Sequence, residues 1–247
     1  ARVRQADLLS LWPDQITGTW SEKLVIPLGY LLFMAVHPFA ALEWLQAPPK
    51  RAARWRVSER RLAMLGAANG QFLLFRRESY AALGGHAALR DHLVEDMAFG
   101  RRVAARTAAG MRLVNADGIE LLRCRMYRGF GELWEGFSKN LRPVFEESFL
   151  SFALFGLMVG GLFLAPFLFM CGVGSEREIA LVAVFLIMAL RLVLTLRFRT
   201  SLVGWILHPV GVALALLIAL NSWRLCLGGG VTWKGRTYPG STRGAAG

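Results

Sequence analysis

Apolar positions divide the chain into two regimes. From residue 149 they run almost unbroken over 149–171, 179–196 and 202–222, each long enough for a membrane-crossing helix. The polar loop Gly172 to Glu178 separates the first two, and Arg197 and Arg199 lie between the second and third. Before residue 149 apolar positions come in short groups broken by charge, glycine and proline, as in a water-soluble domain. The exception is 24–42 (LVIPLGYLLFMAVHPFAAL), apolar throughout but interrupted by Pro27, Gly29, His37 and Pro38. We expect it to form a helix that lies in the membrane interface or packs against the soluble domain. If it crossed instead, residues 1–22 and 43–148 would lie on opposite sides.

The shorter groups predict a mixed pattern of strands and helices. Residues 70–76 (GQFLLFR) are expected as a short buried strand, and 77–83 as a helix stopped by Gly84-Gly85, since glycine accepts the left-handed backbone of a helix end. His86 to Leu93 is expected as a loop. Residues 95–109 are expected as a helix. Glu95 and Asp96 fall in its first turn and Arg101, Arg102 and Arg106 toward its end, both favoured by the helix dipole, and Gly110 stops it. Strands are expected at 111–115 and 119–125. Residues 130–142 are expected as an amphipathic helix with Leu133, Trp134, Phe137 and Leu141 on one face. Residues 1–22 are polar and mixed, with turn-like points at Trp12-Pro13 and Thr19-Trp20-Ser21. The fold class is therefore α/β followed by about three transmembrane helices.

Charge follows the same division. Residues 1–148 hold 21 Lys/Arg and 15 Asp/Glu, against 8 and 2 in residues 149–247. The net charge of +12 suits anionic lipid or a phosphate-bearing substrate, and no nucleic-acid motif is present. Pro48-Pro49 opens a basic stretch at 46–61, with six Lys/Arg against Glu59. It is either a solvated linker or a headgroup-contacting loop with Trp55 at the interface. The basic segments before residue 149 and at 197–199 place the first part on the cytoplasmic side. The tail, 223–247, then exits on the far side although it too is basic, and a re-entrant segment would remove that conflict. Cys124, Cys171 and Cys226 are odd in number and widely spaced, forming neither a zinc pattern nor a disulfide framework.

The candidate chemistry lies in Asn69-Gly70-Gln71-Phe72, Gly84-Gly85-His86 and Val94-Glu95-Asp96. An aspartate beside a glycine turn can act as a general base. The alternative for Glu95 and Asp96 is helix capping. Gly84 equally suits a plain helix stop, and His86 is either a donor to substrate or a surface loop residue.

Three runs, GQFLLFRRESYAALGGH (70–86), VEDMAFGRRV (94–103) and RMYRGFGELWEGFSKN (125–140), precede the membrane helices. This order resembles membrane-bound family 2 glycosyltransferases, near the bacterial group associated with hopanoids and carotenoids. The resemblance covers about residues 5–145 and extends loosely to the membrane part. It implies that residues 1–148 are the acceptor-side half of a GT-A domain, 149–222 the membrane anchor and 223–247 a basic tail. It implies a bacterial inner-membrane enzyme with its catalytic part cytoplasmic. Its partners would be a nucleotide sugar, a lipid or isoprenoid-type acceptor and the membrane, without nucleic acid.

In that resemblance Asp96, with Glu95 beside it, is the base for inverting transfer. Gly70 and Gln71 lie near the diphosphate and acceptor, and Gly84, Gly85 and His86 border the acceptor site. The family's Gln/Arg-x-x-Arg-Trp motif, which holds the leaving diphosphate, has no clean copy. Arg125-Met126-Tyr127-Arg128 keeps the arginine spacing but has Gly129 in place of tryptophan. Trp134 and Lys139 are the first choices for that role and Arg128 the next; interfacial anchoring is the alternative for each. The nucleotide-binding half, with an early aspartate and an Asp-x-Asp for a divalent cation (Mg or Mn), is expected to precede Ala1. Asp7 and Asp14 have the wrong spacing and are taken as ordinary polar residues, so this chain is assigned no metal ligand. Without that half the sheet is expected to leave an apolar edge. Val231 to Tyr238 (VTWKGRTY) resembles an ending of these enzymes and suits interfacial anchoring. The competing function is a non-catalytic membrane scaffold or inactive remnant.

Overall fold

A computed structural model describes residues 5–47, 51–90, 92–145, 148–227, 230–233 and 236–239. Pro48 and Pro49 of the basic stretch, and Lys234 and Arg243 of the tail, lie outside the described residues. The chain runs through β1 (Leu8–Trp12), β2 (Asp14–Gln15), α1 (Trp20–Val36), α2 (Phe39–Gln46), α3 (Arg51–Arg54), α4 (Glu59–Leu65), β3 (Leu73–Phe75) and α5 (Arg77–Ala82). It continues through α6 (Glu95–Ala105), β4 (Leu113–Asp117), β5 (Arg123–Cys124), α7 (Phe130–Asn140), α8 (Phe149–Phe163) and α9 (Ala165–Phe169). The last elements are α10 (Ser175–Arg197), α11 (Leu202–Ile206), α12 (His208–Leu227), and the strands β6 (Gly230–Trp233) and β7 (Arg236–Pro239). The chain is mostly helical, with a small mixed sheet.

Two compact units form. One holds Ala1–Asp14 and Leu32–Cys124; the other holds Gln15–Leu31 and Arg125–Gly247. Residues 15–31 and 125–145 therefore pack with the spans.

In the first unit β1 is the central strand, antiparallel to β3 and parallel to β4. Leu8 pairs with both Phe75 and Leu113. Leu8, Ser10 and Leu11 are all buried, so β1 lacks the alternation that marks a half-exposed strand, which is why the sequence pattern missed it. The expected strand at 70–76 is shorter and lies at an edge, with Leu74 exposed. The strand expected at 119–125 reduces to β5. Phe99, Val103 and Ala104 of α6 pack with Leu8, Leu42, Leu83, Leu89 and Leu113 to make the core. Gly110 takes φ 98° at the end of the turn that follows α6, as a left-handed helix stop does.

Asp7, taken from sequence as an ordinary polar residue, is buried and holds three segments together. Its Oδ1 accepts from Ser79 Oγ at 2.5 Å, its Oδ2 accepts from the Arg112 N–H at 2.8 Å, and Arg76 lies 3.5 Å away. It thus links the starts of β1, α5 and β4. A buried carboxylate is tolerated because its oxygens have such partners.

In the second unit α7 is amphipathic as expected. Leu133 is buried, and Trp134, Phe137 and Leu141 join Leu24, Val25 and Ile26 of α1 and Leu214 and Ile218 of α12. Among the described residues three helices are long and apolar enough to cross a membrane: Phe149–Phe169 (α8 with α9), Ser175–Arg197 and His208–Leu225. Their outward faces expose Leu157, Phe185, Val193 and Leu220 among others, and lipid is the solvent that favours such faces. The apolar segment around 24–42 is two helices, α1 and α2, broken at His37-Pro38.

Close backbone packing joins α1 to the spans. Pro27 has no N–H, so the Lys23 carbonyl loses its helical donor. Gly204 sits against that carbonyl, and a Cβ there would collide with Lys23 O. Gly211 approaches Leu24 O, which would lie 2.9 Å from a Cβ. Arg191, buried on α10, donates from Nη1 to Pro27 O and from Nη2 to Gly204 O, each at 3.0 Å. Small residues permit this approach, and the arginine satisfies carbonyls that lipid cannot.

Candidate active site

Two glycines set the position of Asp96. The segment 66–68 crosses α6 at Gly100 so closely that a Cβ on Gly66 would lie 2.5 Å from Gly100 O, and one on Gly100 would lie 2.8 Å from the Ala67 carbonyl carbon. Asn115 Nδ2 donates to Ala67 O at 2.9 Å and ties the crossing to β4. The chain therefore leaves the crossing over the first turn of α6. There the Gly70 N–H donates to Asp96 Oδ2 at 2.8 Å, and the Met97 N–H donates to Asp96 Oδ1 at 2.8 Å.

The Asn69–Gln71 turn is built to hold that geometry. The Asn69 N–H donates to Ser10 Oγ at 2.8 Å, and Ser10 Oγ donates back to Asn69 O at 3.3 Å. The Gln71 N–H donates to Asn69 Oδ1 at 3.1 Å, and Asn69 Nδ2 donates to Gln71 Oε1 at 3.3 Å. Ser10 is fully buried in the central strand, so the turn is anchored to the sheet. Gly70 itself is exposed beside the carboxyl.

Burial raises the Asp96 carboxyl above its ordinary value; the Met97 and Gly70 N–H groups oppose this, and the Glu95 charge adds to the rise. Glu95 is exposed on the same turn. A half-buried carboxylate with an elevated proton affinity has the character a general base needs.

Gly84, Gly85 and His86 wrap a second side chain that sequence reasoning had not singled out. Gly84 and Gly85 have φ of 78° and 56°, and a Cβ on Gly85 would lie 2.8 Å from the Tyr80 ring. Tyr80 Oη accepts from the His86 N–H at 3.0 Å and lies 2.7 Å from His86 Nδ1. The ring of His86 meets Phe99 of α6 edge-on at 4.9 Å, which connects this loop to the helix that carries Asp96. Arg102 and Arg106 serve the same loop: they donate to the carbonyls of Leu83, Ala88 and Ala82 at 3.0–3.3 Å. They neutralise the open end of α5 as well as suiting their own helix.

The remaining predicted residues belong to the second unit. Arg125 is paired with Glu22, a fully buried carboxylate, through Nε and Nη2, each at 3.3 Å. Glu22 also accepts from the Gly18 N–H and from Thr19 Oγ1, each at 2.7 Å. Burial alone would raise its pKa, but the Thr19, Arg125 and Gly18 donors together hold it at about 2. Lys139 is buried on α7, and Trp134 packs in the α1–α7–α12 core with Phe130 5.6 Å away. Arg128 is exposed, and its N–H donates to Glu132 at 2.8 Å.

Ser10 and Asn115 hold the segment that carries the Asp96 turn, and Tyr80 holds the His86 loop; none of the three was predicted. The sequence signal of Ser10 and Asn115 was polarity inside otherwise apolar groups. Among the described residues no three His, Cys, Asp or Glu side chains gather to hold a metal ion. Comparison with family models, with curated proteins and with solved structures returned no match.

Proposed function

We propose that the chain is the acceptor-side part of a GT-A glycosyltransferase domain with its membrane anchor, and that it moves a sugar from a nucleotide diphosphate to a lipid hydroxyl. The observation that carries this reading is Asp96, a carboxyl with raised proton affinity held against the exposed Gly70 turn. In the proposed step the acceptor oxygen attacks the anomeric carbon while its proton passes to Asp96. The bond from that carbon to the diphosphate oxygen breaks, and its electron pair leaves with the diphosphate. One in-line displacement inverts the carbon. A positioned base of this kind is worth ~10²–10⁴-fold.

The resemblance assigns the leaving diphosphate to Arg125, Arg128, Trp134 and Lys139, of which Arg125 and Arg128 are exposed. The divalent cation that the resemblance implies finds no ligand set among the described residues, and the step above uses none. A bacterial inner membrane with the first unit cytoplasmic is part of the same proposal.

One observation favours the non-catalytic alternative: both Asp96 oxygens accept backbone N–H bonds, as a purely structural carboxylate would. The test is transfer of radiolabel from nucleotide sugars into lipid by membranes carrying the complete gene product. Label in the lipid phase that depends on Asp96 supports the enzyme. Absence of transfer with every common donor supports the scaffold.

A further inference from the structure

We infer that α2, α3 and α4 present a surface that reads anionic lipid headgroups. Two tryptophans stand in the open here, Trp44 at 49% and Trp55 at 65% exposure. Their rings meet edge-on at 5.7 Å. Arg51 lies over the Trp44 ring at 4.4 Å and donates to Trp44 O at 2.6 Å, so the pair is held in place. Beneath it Leu45, Ala52 and Leu62 form a small buried core. Arg54, Arg56, Arg60 and Arg61 are exposed around it, with Met64. Residues 39–65 contain six Lys/Arg against Glu43 and Glu59.

Exposed indole pairs are unfavourable in water, and arginines with so few acids repel one another. An anionic bilayer surface relieves both: indole rings settle among headgroups and guanidinium groups pair with phosphates. The occupant follows from two facts. Arginine outnumbers acid across this surface, and the same chain carries, among its described residues, three helices long and apolar enough to cross a membrane. The inference is independent of sugar transfer.

The test uses the full chain in nanodiscs of brominated phosphatidylcholine, with or without one third phosphatidylglycerol. Bromine quenching of the two indoles is the difference between the wild type and Trp44→Phe/Trp55→Phe. Phosphatidylglycerol is expected to raise that quenching roughly twofold or more, and about 0.5 M NaCl to abolish the gain. The variant Arg54→Gln/Arg56→Gln/Arg60→Gln/Arg61→Gln, all at exposed positions, is expected to lose the gain while keeping its thermal midpoint. Equal quenching in both disc types, or an undiminished gain in the quadruple variant, overturns the inference. So does tight binding of single-stranded RNA or DNA in phosphatidylcholine discs with no lipid-dependent quenching, which assigns the surface to nucleic acid.

Discussion

The Gly70 N–H points at Asp96 Oδ2 from 2.8 Å, and a Cβ at position 70 would lie 2.7 Å from that same oxygen. The glycine is thus both a donor to the carboxyl and the space it occupies. Gly70→Ala is expected to turn the carboxyl away and lower transfer at least about tenfold, at a stability cost of about 1 kcal/mol. Initial rates and a thermal midpoint on the same preparation check this. An unchanged rate removes the Gly70 contact from the reaction.

The elevated Asp96 pKa links activity and stability in opposite directions. Its folded value is above the ordinary 3.8, so the fold favours the protonated form. This carboxyl's contribution to stability is full at low pH and is lost as pH rises through the folded value. A base must be ionised, so transfer is expected to rise with pH through that same value. A pH–rate profile whose acid limb lies at or below the ordinary carboxylate range contradicts the assignment.

Glu22 and Arg125 form the opposite case in the second unit. The Glu22 pKa of about 2 lies below its ordinary 4.5, so its stabilisation is present above 4.5 and is lost as pH falls toward 2. Arg125→Met leaves a buried carboxylate without its cation and is expected to cost about 3 kcal/mol. Glu22→Gln/Arg125→Met is expected to recover part of that and to flatten the acid dependence. Thermal melts of the three proteins between pH 2 and 7 provide the check.

Gly204 tests the helix packing. A side chain there collides with Lys23 O, so Gly204→Val is expected to destabilise the protein by roughly 2 kcal/mol or more. Arg191→Met, which strands the Pro27 and Gly204 carbonyls, is expected to destabilise it as well. Thermal midpoints in detergent measure both, and a Gly204→Val variant as stable as the wild type contradicts this interface.

Much of this arrangement was legible from local pattern. The three spans, α7 with its Leu133 face, α5 with its glycine stop and α6 with its acidic first turn all follow from periodicity and punctuation within a few residues. The central strand β1 was not legible, because Leu8 to Trp12 is buried on both faces and too short to separate from its polar surroundings. Long-range partnerships were hidden for a different reason. Asp7 with Ser79 and Arg112, Ser10 with Asn69, and Glu22 with Arg125 join residues 59 to 105 positions apart. Arg125 entered only through the resemblance, as part of an imperfect Arg125-Met126-Tyr127-Arg128 match, and nothing local to it announced Glu22. At Asp96 the acid was visible, but its contact with Gly70 depends on the Gly66–Gly100 crossing, which only the packed chain reveals.

In the proposed reaction the Asp96 carboxylate takes the acceptor's proton. The most direct measurement is lipid-linked sugar formed per minute by membranes carrying the complete gene product or its Asp96→Asn variant, at matched expression and thermal midpoint. Asparagine keeps an oxygen for one of the two backbone donors, sets its NH2 against the other, and cannot accept the proton. The variant is expected to insert and fold like the wild type while losing ~10²–10⁴-fold in rate. Transfer within a few-fold of the wild type would contradict the account and leave Asp96 a structural clasp on the Gly70 turn.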